Sequence, residues 1–203
     1  MLISQEYKAL NAKLHADVPE YGISGQRWAR DVVSLAKKCR ATSILDYGCG
    51  KGTLKKSLKL TDWGEAEYAR YKDQIFEYDP CIEGKDALPE PADFVVCGDV
   101  LEHIEPEFLD AVLDDLERVT RRIGYLVIYS GPSRKKLSDG RNTHLIQEPM
   151  SWWVEKLEGR FVVAKIERWN SQDGDPVFVC VVEAKAEAVA KIADYVGEKH
   201  VSA

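Results

Sequence analysis

The apolar residues of this chain recur with two different periods. Over Leu2–Asp17 they follow helical spacing, which predicts an amphipathic N-terminal helix. Ser24 is then placed to cap a second helix that turns Trp28 inward. Neither helix belongs to a repeating unit, so we assign residues 1–40 to a helical cap on the core.

From Ser43 onward, short apolar runs alternate with helical patterns. The predicted strands are Ser43–Asp46, Gln74–Tyr78, Ala92–Cys97, Gly124–Tyr129, Phe161–Trp169 and Pro176–Ala184. The predicted helices are Lys51–Leu60, Glu105–Arg121, Pro149–Leu157 and a C-terminal helix from Ala186. Because the last two strands have no helix between them, one of them is expected to run antiparallel.

This order of elements predicts one α/β domain. Its parts are the cap at 1–40, a core at 41–185 and a C-terminal helix or tail at 186–203. Strands that alternate with helices form a mostly parallel sheet covered on both faces. We therefore expect a doubly wound, six- or seven-stranded sheet with an antiparallel last strand.

Composition narrows the class of partner. Acidic residues outnumber basic ones 34 to 28, which disfavours double-stranded DNA. The five cysteines include no CxxC pair, a usage typical of a reducing compartment. No apolar run approaches the roughly 20 residues that cross a bilayer, and the charged N-terminus is unlike a secretory signal. We expect a cytoplasmic protein without a membrane partner.

A glycine-rich turn, ILDYGCGKG, follows the first core strand. Its glycines are Gly48, Gly50 and Gly52. Glycines between a strand and a helix let the backbone approach a ligand closely. The spacing differs from the G-x-G-x-x-G of dinucleotide sites, and Asp46 before it repels a pyrophosphate but suits a cationic amine. The turn therefore favours an amino-acid-bearing nucleoside; the alternative is a turn that binds no ligand.

A second acid, Asp79 in EYDP, follows the second predicted strand. An acid at this strand end accepts the hydroxyls of a ribose in nucleotide-binding folds. Alternatively, Asp79 only forms a turn before Pro80. Together with the glycine turn, it favours a nucleoside cofactor.

The successive motifs ILDYGCGKG, EYDP and ADFVVCGDVLEHIEP resemble those of the class I S-adenosylmethionine-dependent methyltransferases. The resemblance spans residues 43–129 and extends to the compact members carried by bacteriophages. It implies a Rossmann-like methyltransferase fold and S-adenosylmethionine as the cofactor. The implied cofactor contacts are Asp46, Tyr47, Gly48, Gly50, Gly52, Asp79 and Asp99.

One segment departs from the family pattern. Between EYDP and ADFVVC the family usually fits a helix and a further strand, with an acid that contacts adenine. Here only residues 81–91 fill this space, and Asp86 is the candidate for that acid. The shortening is the reason why the strand number is expected to be six or seven.

Ligand-type side chains follow the third predicted strand. In a helical turn over Asp99–Ile104, Asp99, Glu102 and His103 share one side. His144 comes from a loop above the same edge. Such a set of oxygen and nitrogen ligands suits Mg²⁺, Mn²⁺, Fe²⁺ or Zn²⁺. A cation there would lower the pKa of an acceptor hydroxyl.

This arrangement resembles two methyltransferase groups: the ubiquinone-pathway O-methyltransferases and the enzymes that 2′-O-methylate the 3′ end of small RNAs. Both carry E-x-x-E-H and a later His, whereas here Asp99 opens the motif. Two alternatives to a metal stay open. Glu102, His103 and His144 either handle protons and contact substrate without a metal, or they are structural.

Three further segments are candidates for substrate or cofactor contact. The basic loop Ser130–Asn142 either binds an anionic substrate or is simply solvated. Trp152 and Trp153 either wall the acceptor pocket or pack in the core. Tyr21–Gly25 is placed to close over the cofactor.

The resulting hypothesis is methyl transfer to a hydroxyl or amine of a small-molecule or nucleotide-like acceptor, with or without a divalent metal. The Pro-Pro-Tyr/Trp motif of DNA amino methylation is missing after ADFVVC. Two rivals remain. One is an RNA 2′-O-methyltransferase, which the DVLEH motif and the later His favour; the other is a non-catalytic protein that binds S-adenosylmethionine.

Overall fold

The structure is a computed structural model that describes residues 1–61, 68–69, 71–170, 174 and 176–186. Its helices are Gln5–Asp17 (α1), Ala29–Lys38 (α2), Thr53–Leu58 (α3), Leu109–Val119 (α4) and Met150–Glu158 (α5). Its strands are Ile44–Tyr47 (β1), Ile75–Tyr78 (β2), Ala92–Gly98 (β3), Thr120–Tyr129 (β4), Phe161–Asn170 (β5) and Pro176–Ala184 (β6). Most of the C-terminal helix predicted from Ala186 lies outside the described residues.

The six strands form one sheet in the order β2-β1-β3-β4-β6-β5. The first four are parallel, and β6 runs antiparallel to both of its neighbours. The predicted α/β fold with an antiparallel last strand is therefore confirmed, with six strands among the described residues. Residues 79–91 contain no strand, so the shortened segment adds none to the sheet beside β2.

Two hydrophobic clusters cover the two faces of the sheet. One joins the sheet to α1, α4 and α5, and includes the fully buried Val95 and Leu116. The other joins it to α2 and α3, and includes the fully buried Phe94 and Val32. Neighbouring strand residues point to opposite faces, and burial of each such side chain contributes about 1.5–3 kcal/mol. The parallel strands therefore hold their carboxyl ends at one fixed edge.

The cap differs in detail from the prediction. Helix α1 begins at Gln5 because the Ser4 hydroxyl accepts a hydrogen bond from the Tyr7 amide, at 3.0 Å. The same residue is fastened to the core, since its hydroxyl donates to Glu105 at 2.7 Å. Ser24 does not cap α2; it opens a short 3₁₀ turn, Ser24–Arg27, and α2 follows from Ala29.

No helix in the part of the chain that the structure describes has the length and apolar character needed to cross a membrane.

Candidate functional site

The glycine turn lies between β1 and α3, as predicted. Gly48, Gly50 and Gly52 have φ angles of 77°, 51° and 67°, the left-handed region that favours glycine. A Cβ atom on Gly50 would lie 2.5 Å from the carbonyl oxygen of Gly22. A Cβ on Gly48 would lie 2.4 Å from Val100. The glycines thus let the cap and the loop after β3 approach the turn closely.

A cavity of about 960 Å³ opens between the cap and the carboxyl edge of the sheet. Each parallel strand contributes a wall residue at or just past its end: Gly48, Asp79, Asp99 and Tyr129. His103 and His144 also line the cavity, whereas Asp46, Tyr47, Gly52 and Glu102 do not. Ligand pockets commonly have volumes of about 300–1,000 Å³, so the cavity is large enough for a nucleoside and an acceptor.

Asp79 is buried where the glycine turn meets the end of β2. One carboxylate oxygen accepts from the Gly50 amide at 3.0 Å, and the other from the Cys81 amide at 2.9 Å. Each oxygen of a carboxylate has a second acceptor site. The Asp79 side chain, which holds the turn, can therefore still accept hydrogen bonds from ligand hydroxyls. Its contact with a ribose stays a prediction.

Asp46 lies beneath the turn instead of in the cavity wall. It is buried on the α3 face of the sheet, and one of its oxygens has no hydrogen-bond partner among the described residues. Burial raises its pKa to about 8, Glu77 adds to the rise, and Lys85 opposes it. The structure does not bring this carboxylate to the predicted ligand amine.

Tyr47 faces the opposite side from Asp46 because strand residues alternate. Its hydroxyl donates to Asp115 of α4 at 2.9 Å, and its ring packs against Tyr78. The side chain belongs to the core, and the contact of Tyr47 with the cofactor stays a prediction.

Asp99 is separated from the other predicted metal ligands. Its φ of 57° and a 3₁₀ turn over Leu101–His103 replace the predicted helical turn. Burial raises the pKa of Asp99, and Ser24 and Arg27 oppose that rise. The carboxylate thus faces the cap, where it lines the cavity but does not join the metal-type cluster.

Glu102, His103 and His144 do come together. Their ligand-type atoms all lie within 4.8 Å of one another. Glu102 is fully buried; one oxygen accepts from the Tyr129 amide at 3.2 Å, and the other has no hydrogen-bond partner among the described residues. Burial and the nearby charge of Asp99 raise its pKa well above the usual range.

The two imidazoles of this cluster meet edge to face, with ring centroids 4.7 Å apart. Burial, then the neighbouring His144, lowers the pKa of His103 to about 3, so its ring is neutral near pH 7. Nδ1 of His144 lies 2.7 Å from the Gly131 carbonyl oxygen, to which it donates. This bond assigns the proton to Nδ1 and leaves the lone pair on Nε2, the arrangement usual for a histidine metal ligand.

The cap lies directly against the turn. The Lys51 amide donates to the Gly22 carbonyl at 2.8 Å, and the Lys51 ammonium donates to two cap carbonyls at Val18 and Pro19. The Tyr21 hydroxyl lies 3.5 Å from Nδ1 of His103. Residues Tyr21–Gly25 therefore connect the glycine turn to the histidine cluster.

Sequence reasoning missed one wall of the cavity. A stripe that starts two residues before α1 and continues along it faces the site at a spacing of four: Ile3, Tyr7, Asn11 and His15. The spacing was visible in the sequence, but its mixture of apolar and polar residues gave it the pattern of an ordinary amphipathic helix.

No protein-family model matches the sequence, and no curated protein matches it. Solved structures do. The 1,6-didemethyltoxoflavin N1-methyltransferase of Burkholderia thailandensis, with bound 1,6-didemethyltoxoflavin and S-adenosylhomocysteine, has a TM-score of 0.63 at 15% identity, over 91% of each chain. The magnesium protoporphyrin IX methyltransferase of Synechocystis with bound S-adenosylmethionine has 0.57 at 16%, over 89% of this chain and 99% of that one.

A third similar structure is the N-methyltransferase NodS of Bradyrhizobium japonicum in complex with S-adenosylhomocysteine. Its TM-score is 0.52 at 12% identity, over 90% of this chain and all of the other. The chain therefore has the class I methyltransferase fold. At such identities the likeness is one of fold, and the resemblance to bacteriophage members stays a prediction.

Within this methyltransferase fold, three further candidates lie outside the cavity wall. Asp86 is exposed, pairs with Lys8 of α1 at 3.1 Å and does not line the cavity, and its contact with adenine stays a prediction. Trp153 is fully buried in the core, and Trp152 packs against it with ring centroids 5.0 Å apart. The packing role of the tryptophans, left open by the sequence, is the one the structure supports.

Proposed function

We propose that the protein is an S-adenosylmethionine-dependent methyltransferase that methylates a hydroxyl or amine of a small-molecule or nucleotide-like acceptor. We further propose that a divalent cation held by Glu102, His103 and His144 assists the transfer. The observation that carries the proposal is the single cavity that joins the glycine turn to this cluster.

The turn fits the cofactor. The wall at Gly48 and Gly50 is bare backbone packed closely against Gly22 and Val100, and the adjoining Asp79 carboxylate is buried and fixed by two amides. The acids Asp79 and Asp99 suit a ligand that carries positive charge. S-adenosylmethionine supplies the methyl group on a sulfonium, and these residues bind and orient it.

The cluster fits a cation. The unpartnered oxygen of Glu102 is a buried acceptor, and a buried carboxylate is costly unless a cation or a proton compensates it. Two imidazoles and one carboxylate match the three protein ligands of many open catalytic metal sites. A cation there would lower the pKa of an acceptor hydroxyl.

The chain's own residues complete the site. The neutral His103 presents its ring to the cavity, where it either binds the cation or takes the proton of the acceptor. The Tyr21 hydroxyl, 3.5 Å from this imidazole, keeps the ring facing inward.

Calorimetry with S-adenosylhomocysteine tests the cofactor assignment, and we expect one site per chain. Electron paramagnetic resonance of Mn²⁺ tests the cation separately. His144→Ala should weaken Mn²⁺ binding at least about tenfold, whereas His15→Ala, which removes an imidazole of the same cavity outside the cluster, should not.

Formation of S-adenosylhomocysteine from S-adenosylmethionine, with catechol as a probe acceptor, tests turnover with and without EDTA. If turnover resists EDTA but is lost in His103→Ala, the reaction is assisted by proton transfer at His103 and not by a cation. Cofactor binding without product for any acceptor class would favour the non-catalytic alternative.

A further inference from the structure

The charges of the cavity wall differ from one end to the other. Asp79 and Asp99 lie at the strand ends near the glycine turn, and Arg27 of the cap is close enough to Asp99 to oppose the rise of its pKa. Glu20 also lines the cavity from the cap. Arg134 and Lys135 line it from the loop after β4, which puts positive charge at the end left for the acceptor.

The loop that carries Arg134 and Lys135 is a built structure. The Asn142 side chain brackets it, since its Oδ1 accepts from the amides of Ser133 and His144, and its Nδ2 donates to the Ser133 carbonyl at 2.8 Å. The same bracket therefore orders the basic residues and sets the position of His144.

The basic residues of this loop divide into two kinds. Arg141 forms an ion pair with Asp139 at 2.7 Å and is not part of the cavity wall. Lys136 is exposed and also lies outside the wall. Arg134 and Lys135 are the two that reach the cavity, and the charge of Lys135 is close enough to His103 to contribute to the lowering of its pKa.

Aromatic side chains also line the cavity. Tyr129 lies beside His144, with ring centroids 5.3 Å apart. Trp28 and Trp169, with rings 5.8 Å apart, line it where Trp28 packs against Gly98. The flat ring of Tyr129 beside the basic loop suits a planar acceptor that carries an anionic group.

We propose that the acceptor is a small, planar anion with a carboxylate or phosphate group. Arg134 and Lys135 bind this group, and the nucleophilic group of the acceptor lies at the Glu102, His103 and His144 cluster. This rests on the proposed function. The basic wall is local in a chain with a net charge of −6, so a small anion fits better than a long polyanion, which the remaining surface repels.

Binding to protein saturated with S-adenosylhomocysteine tests the proposal. The probes are 3,4-dihydroxybenzoate, phenyl phosphate, catechol and 3,4-dihydroxybenzylamine, measured by calorimetry. We expect at least one of the two anions to bind about tenfold more tightly than catechol, since charge-assisted hydrogen bonds are the stronger ones, and the amine to bind most weakly. The preferred anion identifies the source of the charge as a carboxylate or a phosphate.

The paired variant Arg134→Gln with Lys135→Gln should abolish this preference. Lys136→Gln with Arg141→Gln, which removes two positive charges from the same loop outside the cavity, should keep the preference within about twofold. Equal binding of all four probes, no anion binding at all, or a preference that survives the paired variant each overturns the proposal. Tight, steeply salt-dependent binding of a short RNA that displaces the small anions overturns it in favour of a polyanion.

Failure of the proposed function has a different signature. It appears as absent binding of S-adenosylhomocysteine, whereas the anion titration can be repeated on the protein without it. A small-anion site in a protein that does not bind the cofactor would thus separate the two results.

Discussion

The two ends of the cavity are built in different ways. At the glycine turn, the ligand surface is backbone from residues close in sequence, and its shape depends on the absence of side chains. At the other end, side chains from two segments forty residues apart, at Glu102–His103 and His144, converge within 4.8 Å. The first end is fixed by local geometry and the second by tertiary packing, so substitutions at the two ends should have different effects.

The largest expected effect concerns the backbone end. In Gly50→Ala the new Cβ meets the Gly22 carbonyl at 2.5 Å, at a φ of 51° that costs a non-glycine residue about 1–2 kcal/mol. We expect the cap to separate from the turn. Calorimetry should show affinity for S-adenosylhomocysteine reduced by about 100-fold or more.

Gly84→Ala is the matched control for this change. Gly84 has a φ of 80°, but a Cβ there meets nothing within 4 Å. It carries the backbone strain without the close approach, so affinity should stay within about threefold of the original protein. Similar losses in both variants would contradict the role of close approach.

At the side-chain end we expect a smaller effect, which is a gain in thermal stability. Glu102→Gln keeps an oxygen that accepts from the Tyr129 amide but removes a buried carboxyl group whose pKa is raised well above the usual range. Near neutral pH in EDTA, the original protein must take up a proton at Glu102 or bury its charge when it folds, so the variant should unfold at a higher temperature. The apparent affinity for Mn²⁺, measured by the stabilisation that the ion gives, should fall at least about tenfold. A variant that unfolds earlier in EDTA would contradict this cost of burying Glu102.

The same contrast explains what the sequence could predict. The place of Gly48 and Gly50 in a tight turn could be predicted, because a strand, a turn and a helix in succession define the backbone geometry. The grouping of Glu102 and His103 was predicted from helical spacing, and that of His144 from its loop above the same edge of the sheet. The turn is 3₁₀, however, and Asp99 stays outside the cluster.

The direction in which side chains point could not be predicted from the sequence. The left-handed backbone of Asp99 turned its carboxylate toward the cap, and strand alternation sent Tyr47 into the core. Asp46 ended beneath the turn for the same reason. The α1 wall could not be predicted either, because its place above the sheet depends on tertiary contacts such as that between Ser4 and Glu105.

The pH dependence of stability tests the burial of Asp46 beneath the glycine turn. The pKa of Asp46 is raised to about 8 by burial, from about 3.9 in an unfolded chain. Between these values the folded state binds a proton that the unfolded state has lost, so stability should decline as pH rises from about 4 to about 8. Asp46→Asn cannot titrate, and its melting temperature should decline less over pH 5–8.

Asp86→Asn is the reference for that profile, because Asp86 is exposed and Lys8 lowers its pKa. Its carboxylate stays charged over pH 5–8, so the variant should follow the original protein. Parallel profiles for Asp46→Asn and Asp86→Asn would contradict the assignment of a buried, protonated Asp46.

The smallest expected effect lies where the two ends meet. Tyr21→Phe keeps the ring against His15, whose centroid is 4.6 Å away, and removes only the hydroxyl 3.5 Å from His103. Because a net hydrogen bond contributes about 0.5–1.5 kcal/mol, turnover of a probe acceptor should fall roughly threefold to tenfold, with affinity for S-adenosylhomocysteine nearly unchanged. Loss of cofactor affinity instead would mean that Tyr21 acts through the cap, and the division of the cavity into two independently built ends would no longer hold at this residue.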